Sequence, residues 1–339
     1  MRTSDFDYEL PPGLIAQTPA EPRDASRLMA FRRGGTEFED HTFRDLPTLL
    51  RPGDLLVAND TRVMAARLHG WREDTGGKVE ALLVRETADG AWDTLFKPAK
   101  AALPGRRFVF TTGAGQSTAV CLGRDEETVR LAFAPGFDPS TAGEVPLPPY
   151  IRGFTGDAER YQTVFSREPK SAAAPTAGLH FTPDLIAELD VTGVGMTYVT
   201  LEVGPGTFKP VSVDDPRDHR LHSERVRVPA DTAEQLQAAQ NEGRRIIAVG
   251  TTVVRTLEHV ARETGRFAAW EGETELKLLP GDPFLAIDGL ITNFHLPRST
   301  LLMLVAAFAG YETTMAAYRR AVAERYRFYS FGDAMLILP

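Results

Sequence analysis

The sequence predicts an α/β core, a parallel or mixed and barrel-like sheet dressed with helices, into which a small antiparallel β-barrel domain is inserted. Three observations lead there. Short apolar strands that end in polar loops and run on into helices recur at 54–63, 196–208, 244–260 and 288–308, the alternation that makes a parallel sheet. From about residue 78 to 134 the texture changes to β-rich runs, "KVEALLVRE", "AWDTLFKPA", "RRFVFTT", "STAVCLGRD" and "TVRLAFA". Turn signals part them every eight to twelve residues or so, as in a small barrel or sandwich. A proline-rich exit, "EVPLPPYIRG" at 144–153, then leads back to the first texture. The expected domains are a discontinuous core of 1–66 and 151–339, carrying the active site, and an insert of 67–150.

The core elements follow in chain order. "DLLVANDTRV" at 54–63 is a short buried strand with a polar end. If it continued as a strand, Asp60 and Arg62 would point to one side, where they pair with each other or act together on a substrate. "SAAAPTAGLHFTPDL" at 171–185 has neither strand alternation nor helical spacing until its last residues, so its first part is a loop. Thr182 then caps a helix, Pro183 fits its first position and Asp184 suits the positive end of its dipole. That places His180 just before a helix N-terminus. "MTYVTLEVGPGTF" at 196–208 sets Val199, Leu201 and Val203 on one face and Thr200 and Glu202 on the other. Its glycines, Gly204 and Gly206, either bring backbone amides close to a ligand or form a plain turn. "RRIIAVGTTVVRTLEHV" passes from strand through Gly250 and Thr251 into a helix, and "DGLITNFHLPRSTLLMLVAAF" does the same with Ser299 or Thr300 as the cap. Ligands of such sheets bind beyond the carboxyl ends of the strands, so these loops are expected to share one edge.

Composition narrows the function. A net charge of −8 over 339 residues is the opposite of a general nucleic-acid coat. The basic stretch "YRRAVAERYRFYSF" at 318–331 interleaves arginines with aromatics, which suits phosphates and stacked bases. The helical spacing of Tyr318, Val322 and Tyr326 favours packing instead. One cysteine, Cys121, excludes an internal disulfide and a cysteine-built zinc cage, and fits a reducing compartment. The acidic N-terminal stretch lacks the apolar core of a secretory signal, and the longest apolar run, "LLMLVAAFAG", is shorter than a membrane span. The expectation is a cytoplasmic protein without membrane association. Phosphate-loop, dinucleotide, HExxH and paired CxxC signatures are missing. "HRLHSE" at 219–224 would space His219 and His222 for a metal on a helix, but its neighbours read as loop and strand, so no metal is expected. Either His180 or His295 can serve as a general base, histidine having the free pKa nearest neutrality.

Taken together the loops resemble one family, the S-adenosylmethionine:tRNA ribosyltransferase-isomerases of queuosine biosynthesis. The resemblance rests on "FDYELPPGLIAQTPAEPRDASRLM", "DLLVANDTRVMAARL", "GGKVEALLVRE", "PLPPYI", "RYQTVFSREPKSAAAPTAGLHFT", "GPGTFKPV", "HSE", "AVGTTVVRTLE", "TNFHLPRSTLLMLVAAFAG" and "FGDAMLI", which run in order along essentially the whole chain. It implies transfer of the ribosyl part of S-adenosylmethionine onto the aminomethyl group of a 7-deazaguanine base (preQ1) already in the tRNA wobble position. Epoxyqueuosine forms and adenine and methionine leave. S-adenosylmethionine is then a consumed substrate, no cofactor is needed, and tRNA is the partner; a monomer is expected.

Such chemistry needs a base for a proton made acidic by the adjacent sulfonium, stabilisation of departing adenine, and exclusion of water. The loops supply acid–base candidates in His180, Glu202, Asp60 and His295, with His180 leading. Candidates for holding substrate are Asn59, Arg62, Thr176, Ala177, Gly178, Gly204, Gly206, Thr207 and Phe208. His222, Gly250, Thr251, Thr252, Asn293 and Arg298 complete that set. Arg319, Arg320 and Arg325 are the candidates for tRNA. One departure stands out: many members read "TLHVG" where this chain reads "TLEVG", so Glu202 replaces a histidine, and Pro205 stiffens the turn that follows. A carboxylate there needs a raised pKa or acts as a base only. A tRNA- or nucleotide-binding module without turnover, or another acid–base enzyme on the same fold, are the alternatives.

Overall fold

The computed structural model describes residues 1–125, 127–139, 142–204 and 211–339. The strands are β1 (Arg27–Arg32), β2 (Phe38–Thr42), β3 (Leu55–Asn59), β4 (Arg62–Val63), β5 (Arg67–Arg72), β6 (Lys78–Glu86), β7 (Trp92–Lys97), β8 (Arg107–Thr112) and β9 (Gly115–Arg124). They continue with β10 (Val129–Phe133), β11 (Pro169–Ser171), β12 (Gly195–Leu201), β13 (Glu224–Val228), β14 (Ile246–Val249), β15 (Trp270–Thr274), β16 (Gly289–Asn293) and β17 (Ala334–Leu338). The α-helices are α1 (Leu46–Leu49), α2 (Pro183–Val191), α3 (Ala230–Asn241), α4 (Thr251–Thr264), α5 (Thr300–Ala309) and α6 (Tyr311–Ala323).

Two compact units result. The first comprises 1–61, 149–166 and 175–339; the second comprises 62–148 and 167–174. Residues 167–174, expected in the core, instead provide β11, which runs parallel to β4 within the second unit. The β-rich runs close into a barrel of order β10-β7-β6-β5-β8-β9. Its sixth strand, β5, alternates in burial along "RLHGW", but one of its inward positions is Gly70, so the apolar signal rests on Leu68 alone.

In the first unit a mixed sheet runs β15-β13-β12-β3-β14-β16-β17-β1-β2 among the described residues. It ends on β15 and β2, so the barrel-like closure expected of the core belongs to the inserted domain alone. The central four strands, β12, β3, β14 and β16, are parallel. Antiparallel pairs flank them on both sides. Both faces of the centre are buried, as the period of two requires of a sheet covered twice. Leu55, Val57, Ile246 and Ala248 face the core that holds α3, α4, α5 and α6. Their neighbours Leu56, Ala58, Ile247 and Val249 face α2 and Phe43. Each such aliphatic side chain contributes about 1.5–3 kcal/mol on burial.

Two helix starts behave as their sequences require. Thr182 Oγ1 accepts the Leu185 amide at 3.1 Å ahead of α2, and Ser299 Oγ accepts the Leu302 amide at 3.2 Å ahead of α5. Tyr318 and Tyr326 are fully buried, in line with packing rather than base stacking.

Candidate active site

The parallel centre brings the ends of β12, β3, β14 and β16 to one edge. β3 stops at Asn59, whose side chain is 1% exposed. Its Nδ2 donates to Leu201 O at 3.0 Å and Thr252 Oγ1 at 3.3 Å, and its Oδ1 accepts from the amides of Leu201 and Thr61, both at 3.1 Å. One amide group thereby clamps β3 to β12 and to the first turn of α4. The strand ends there, so Asp60 and Arg62 lie beyond β3 and do not continue it. Asp60 Oδ1 accepts Thr200 Oγ1 at 2.7 Å, while Arg62 opens β4 in the second unit. Gly250 joins β14 to α4 at φ 96° and ψ 153°, a conformation open only to glycine, and no side chain caps the helix. Thr251 and Thr252 form that buried, uncapped first turn.

The loop around His180 tightens into a 3₁₀ turn from Thr176 to His180. The space left by its small residues is taken up by the protein itself. A Cβ on Gly178 would lie 2.8 Å from Phe165 Cζ and 2.9 Å from Thr163 Cγ2, and one on Gly250 would meet Ala177 Cβ at 3.5 Å. His180 is 4% exposed and stacks on Phe43 at 4.8 Å between centroids. Its Nε2 accepts Asn293 Nδ2 at 3.1 Å, which puts the ring proton on Nδ1, 2.7 Å from Ser26 Oγ. Burial, then the charges of Arg327 and Arg23, push its pKa down to about 3. Desolvation favours the uncharged form of this ring, and both of its nitrogens are engaged.

His295 is also sealed. Its Nε2 lies 2.9 Å from Thr292 Oγ1, its amide donates to the Tyr318 hydroxyl at 2.9 Å, and burial pushes its pKa down to about 3. Asn293 donates further to Tyr329 O at 3.2 Å, and its Oδ1 is buried without a donor among the described residues. Arg298, at φ 57°, forms an ion pair with Asp7. Glu202 follows β12, half-buried, its amide donating to Arg225 O at 2.9 Å. Of the basic trio, Arg319 and Arg325 are exposed, and Arg320 is held 2.6 Å from Asp40. Gly206, Thr207 and Phe208 lie outside the described residues.

What the edge leaves open is a cleft of about 590 Å³, counting its mouth to solvent. Of the expected residues, Gly204 and His222 line it, together with His219, Glu224, Arg255, Lys277 and Thr300. Leu221, Leu276, Leu278, Leu301 and Leu304 form its apolar wall. Arg255, in the second turn of α4, makes a buried ion pair with Glu224 and donates Nε to Leu276 O at 2.9 Å. Glu224 Oε1 also accepts the Gly204 amide at 2.9 Å. Lys277 Nζ donates to the carbonyls of Pro216, Arg217 and His219 at 2.6, 2.9 and 2.6 Å, fixing the loop that walls one side. His219 has its pKa lowered by burial, then by Lys277 and His222. Sequence reading singled out neither Arg255 nor Ser26. A cation within the otherwise uncharged run "TTVVRTL" was the available signal for the first; Ser26 had none.

Comparison with known proteins agrees across the full length. The family described as "Queuosine biosynthesis protein" matches residues 3–337. A protein of Symbiobacterium thermophilum named S-adenosylmethionine:tRNA ribosyltransferase-isomerase is 53% identical over 343 residues, covering 100% of both chains. One of the same name from Thermus thermophilus is 52% identical over 342 residues, with 98% of each covered. A crystal structure of S-adenosylmethionine tRNA ribosyltransferase from Thermotoga maritima is 42% identical, covers 99% of this chain and 100% of that one, and superposes with a TM-score of 0.58.

Proposed function

Because the chain belongs to the queuosine biosynthesis protein family, we propose that it works as an S-adenosylmethionine:tRNA ribosyltransferase-isomerase, modifying tRNA on the queuosine pathway. The observation that carries this reading is identity above 50% along the entire chain to proteins of that activity. The cleft at the carboxyl ends of the parallel strands, where ligands of such sheets bind, supports it.

In this reading S-adenosylmethionine is a substrate, consumed as ribosyl donor to the aminomethyl group of the deazaguanine base. Glu202 carries the proton transfer. It is half-buried two residues before Gly204 of the cleft wall, and a carboxylate is the natural base for a proton acidified by a sulfonium. His180, neutral and bonded at both ring nitrogens, and His295, neutral and bonded at Nε2, are positioning residues. His180 fixes Asn293, and His295 fixes the turn that leads into α5. Asp60 and Asn59 hold the ends of β12 and β3 in register. Arg319 and Arg325 face solvent and are available to tRNA phosphates.

The test is chromatographic detection of free adenine. Wild type releases it from S-adenosylmethionine only when tRNA bearing the precursor base is present. Salt-sensitive tRNA binding with no adenine would instead identify a binding module without turnover.

A further inference from the structure

The cleft contains a buried donor that finds no acceptor among the described residues. Arg255 is 5% exposed, its Nη1 is committed to Glu224 and its Nε to Leu276 O, but its buried Nη2 has no hydrogen-bond partner among the described residues. A guanidinium N–H withdrawn from water and left unpaired destabilises the chain, and proteins rarely keep one without a use. Lys277 cannot substitute for it, since three backbone carbonyls take its protons.

We propose that Arg255 Nη2 binds the carboxylate of the donor's α-amino-acid end, seating the methionyl part of S-adenosylmethionine in this cleft. The inference rests on the ribosyl-donor reading above and adds where the leaving methionine lies. Charge selects this ligand over a phosphate. The Arg255–Glu224 pair is neutral as a unit, so a zwitterion that brings its own ammonium fits beside it, whereas a phosphate dianion would be repelled by the Glu224 carboxylate at short range. A carboxylate also accepts from a guanidinium in plane, as the fork geometry of arginine favours. The leucine wall, with Leu276, Leu278 and Leu304 foremost, matches an unbranched thioether chain.

The test compares dissociation constants of the full chain for S-adenosylmethionine, its decarboxylated analogue, free methionine and tRNA. Wild type is expected to bind S-adenosylmethionine at least about tenfold tighter than the decarboxylated analogue, the span of a charge-assisted hydrogen bond. Arg255→Lys should erase that difference, weaken methionine equally, and leave the decarboxylated analogue and tRNA unchanged. Equal wild-type affinity for the two sulfonium compounds would overturn the proposal, as would an Arg255→Lys change confined to tRNA. Wild type that ignores every sulfonium compound would sink the donor reading itself, and this placement with it. Should Arg255→Lys fail to fold, Leu301→Trp adds bulk at the cleft while keeping the ion-pair residues. It should abolish methionine binding, and retained binding would count against the cleft.

Discussion

The neighbourhoods of His180 and Arg255 are both polar, both buried and both set by loops at the same sheet edge, yet one is closed by packing and the other opens on a cleft. Around His180 each ring nitrogen has a partner, Phe43 covers a face, and side chains fill the space that small residues left. Around Arg255 a guanidinium nitrogen is buried with no partner among the described residues, beside a cleft with an apolar wall. Each network keeps a buried polar atom unpaired among the described residues, Asn293 Oδ1 in the first and Arg255 Nη2 in the second, but only the second lies beside open volume, where a ligand can complete it. Residue type alone would have ranked them the other way, because histidine suggests chemistry and a mid-helix arginine suggests a solvated face.

Substitutions should therefore separate the two regions by readout. The largest effect is expected beside the cleft: Glu202→Gln lowers kcat for adenine release by about 100-fold or more, the usual reach of a general base, with the melting temperature unchanged. A variant with full rate would remove Glu202 from the chemistry. In the closed region the expected loss is stability. His180→Ala gives up two buried hydrogen bonds and a stacked ring, about 2–4 kcal/mol in urea unfolding. If it kept full stability and lost turnover, the contrast would collapse and His180 would return as the base.

Acid should reveal the same contrast. The folded-state pKa values of His180 and His295 are both about 3, below the unfolded 6.5, so between those limits the unfolded chain binds protons that the native chain refuses. These two residues therefore favour folding fully above pH 6.5 and progressively less as pH falls toward 3. Their combined slope approaches about 2.7 kcal/mol per pH unit at its steepest. His180→Asn should remove about half of it in unfolding titrations, and an unaltered slope would mean that the ring is not buried neutral. The smallest effect belongs to the surface. Arg319→Ala with Arg320→Ala should reduce the dependence of log Kd for tRNA on log salt by less than two, because Arg320 already has Asp40 as a partner. A slope identical to wild type would exclude this helix from the tRNA surface.

Much of the architecture was legible because its signals are local. β3, β12, β14 and β16 are short apolar runs ended by polar residues, and Thr182 and Ser299 cap where their sequences say they should. The site was legible as a set of loops and not as roles. Nothing near His180 in sequence announces Ser26, 154 positions away, or Asn293, 113 away, and those two partners engage both nitrogens of the candidate base. Likewise the run that ends in Glu224 stood out for the spacing of its histidines, while Arg255, the partner of Glu224, lies 31 residues on. Side-chain saturation is a property of the folded whole, whereas capping and periodicity are written within a few residues.

The place of β17 between β16 and β1 bears on how this protein comes into being. Arg27 and Asp333 bond across a separation of 306 positions, so β1 and β2 have no berth in the main sheet until the segment at 334–338 is available. The inserted barrel is stitched largely from neighbouring hairpins and waits for no such latecomer. A nascent chain would thus carry a finished barrel beside a sheet with exposed apolar edges for most of its synthesis, and chaperone demand should concentrate on the unit that holds the cleft.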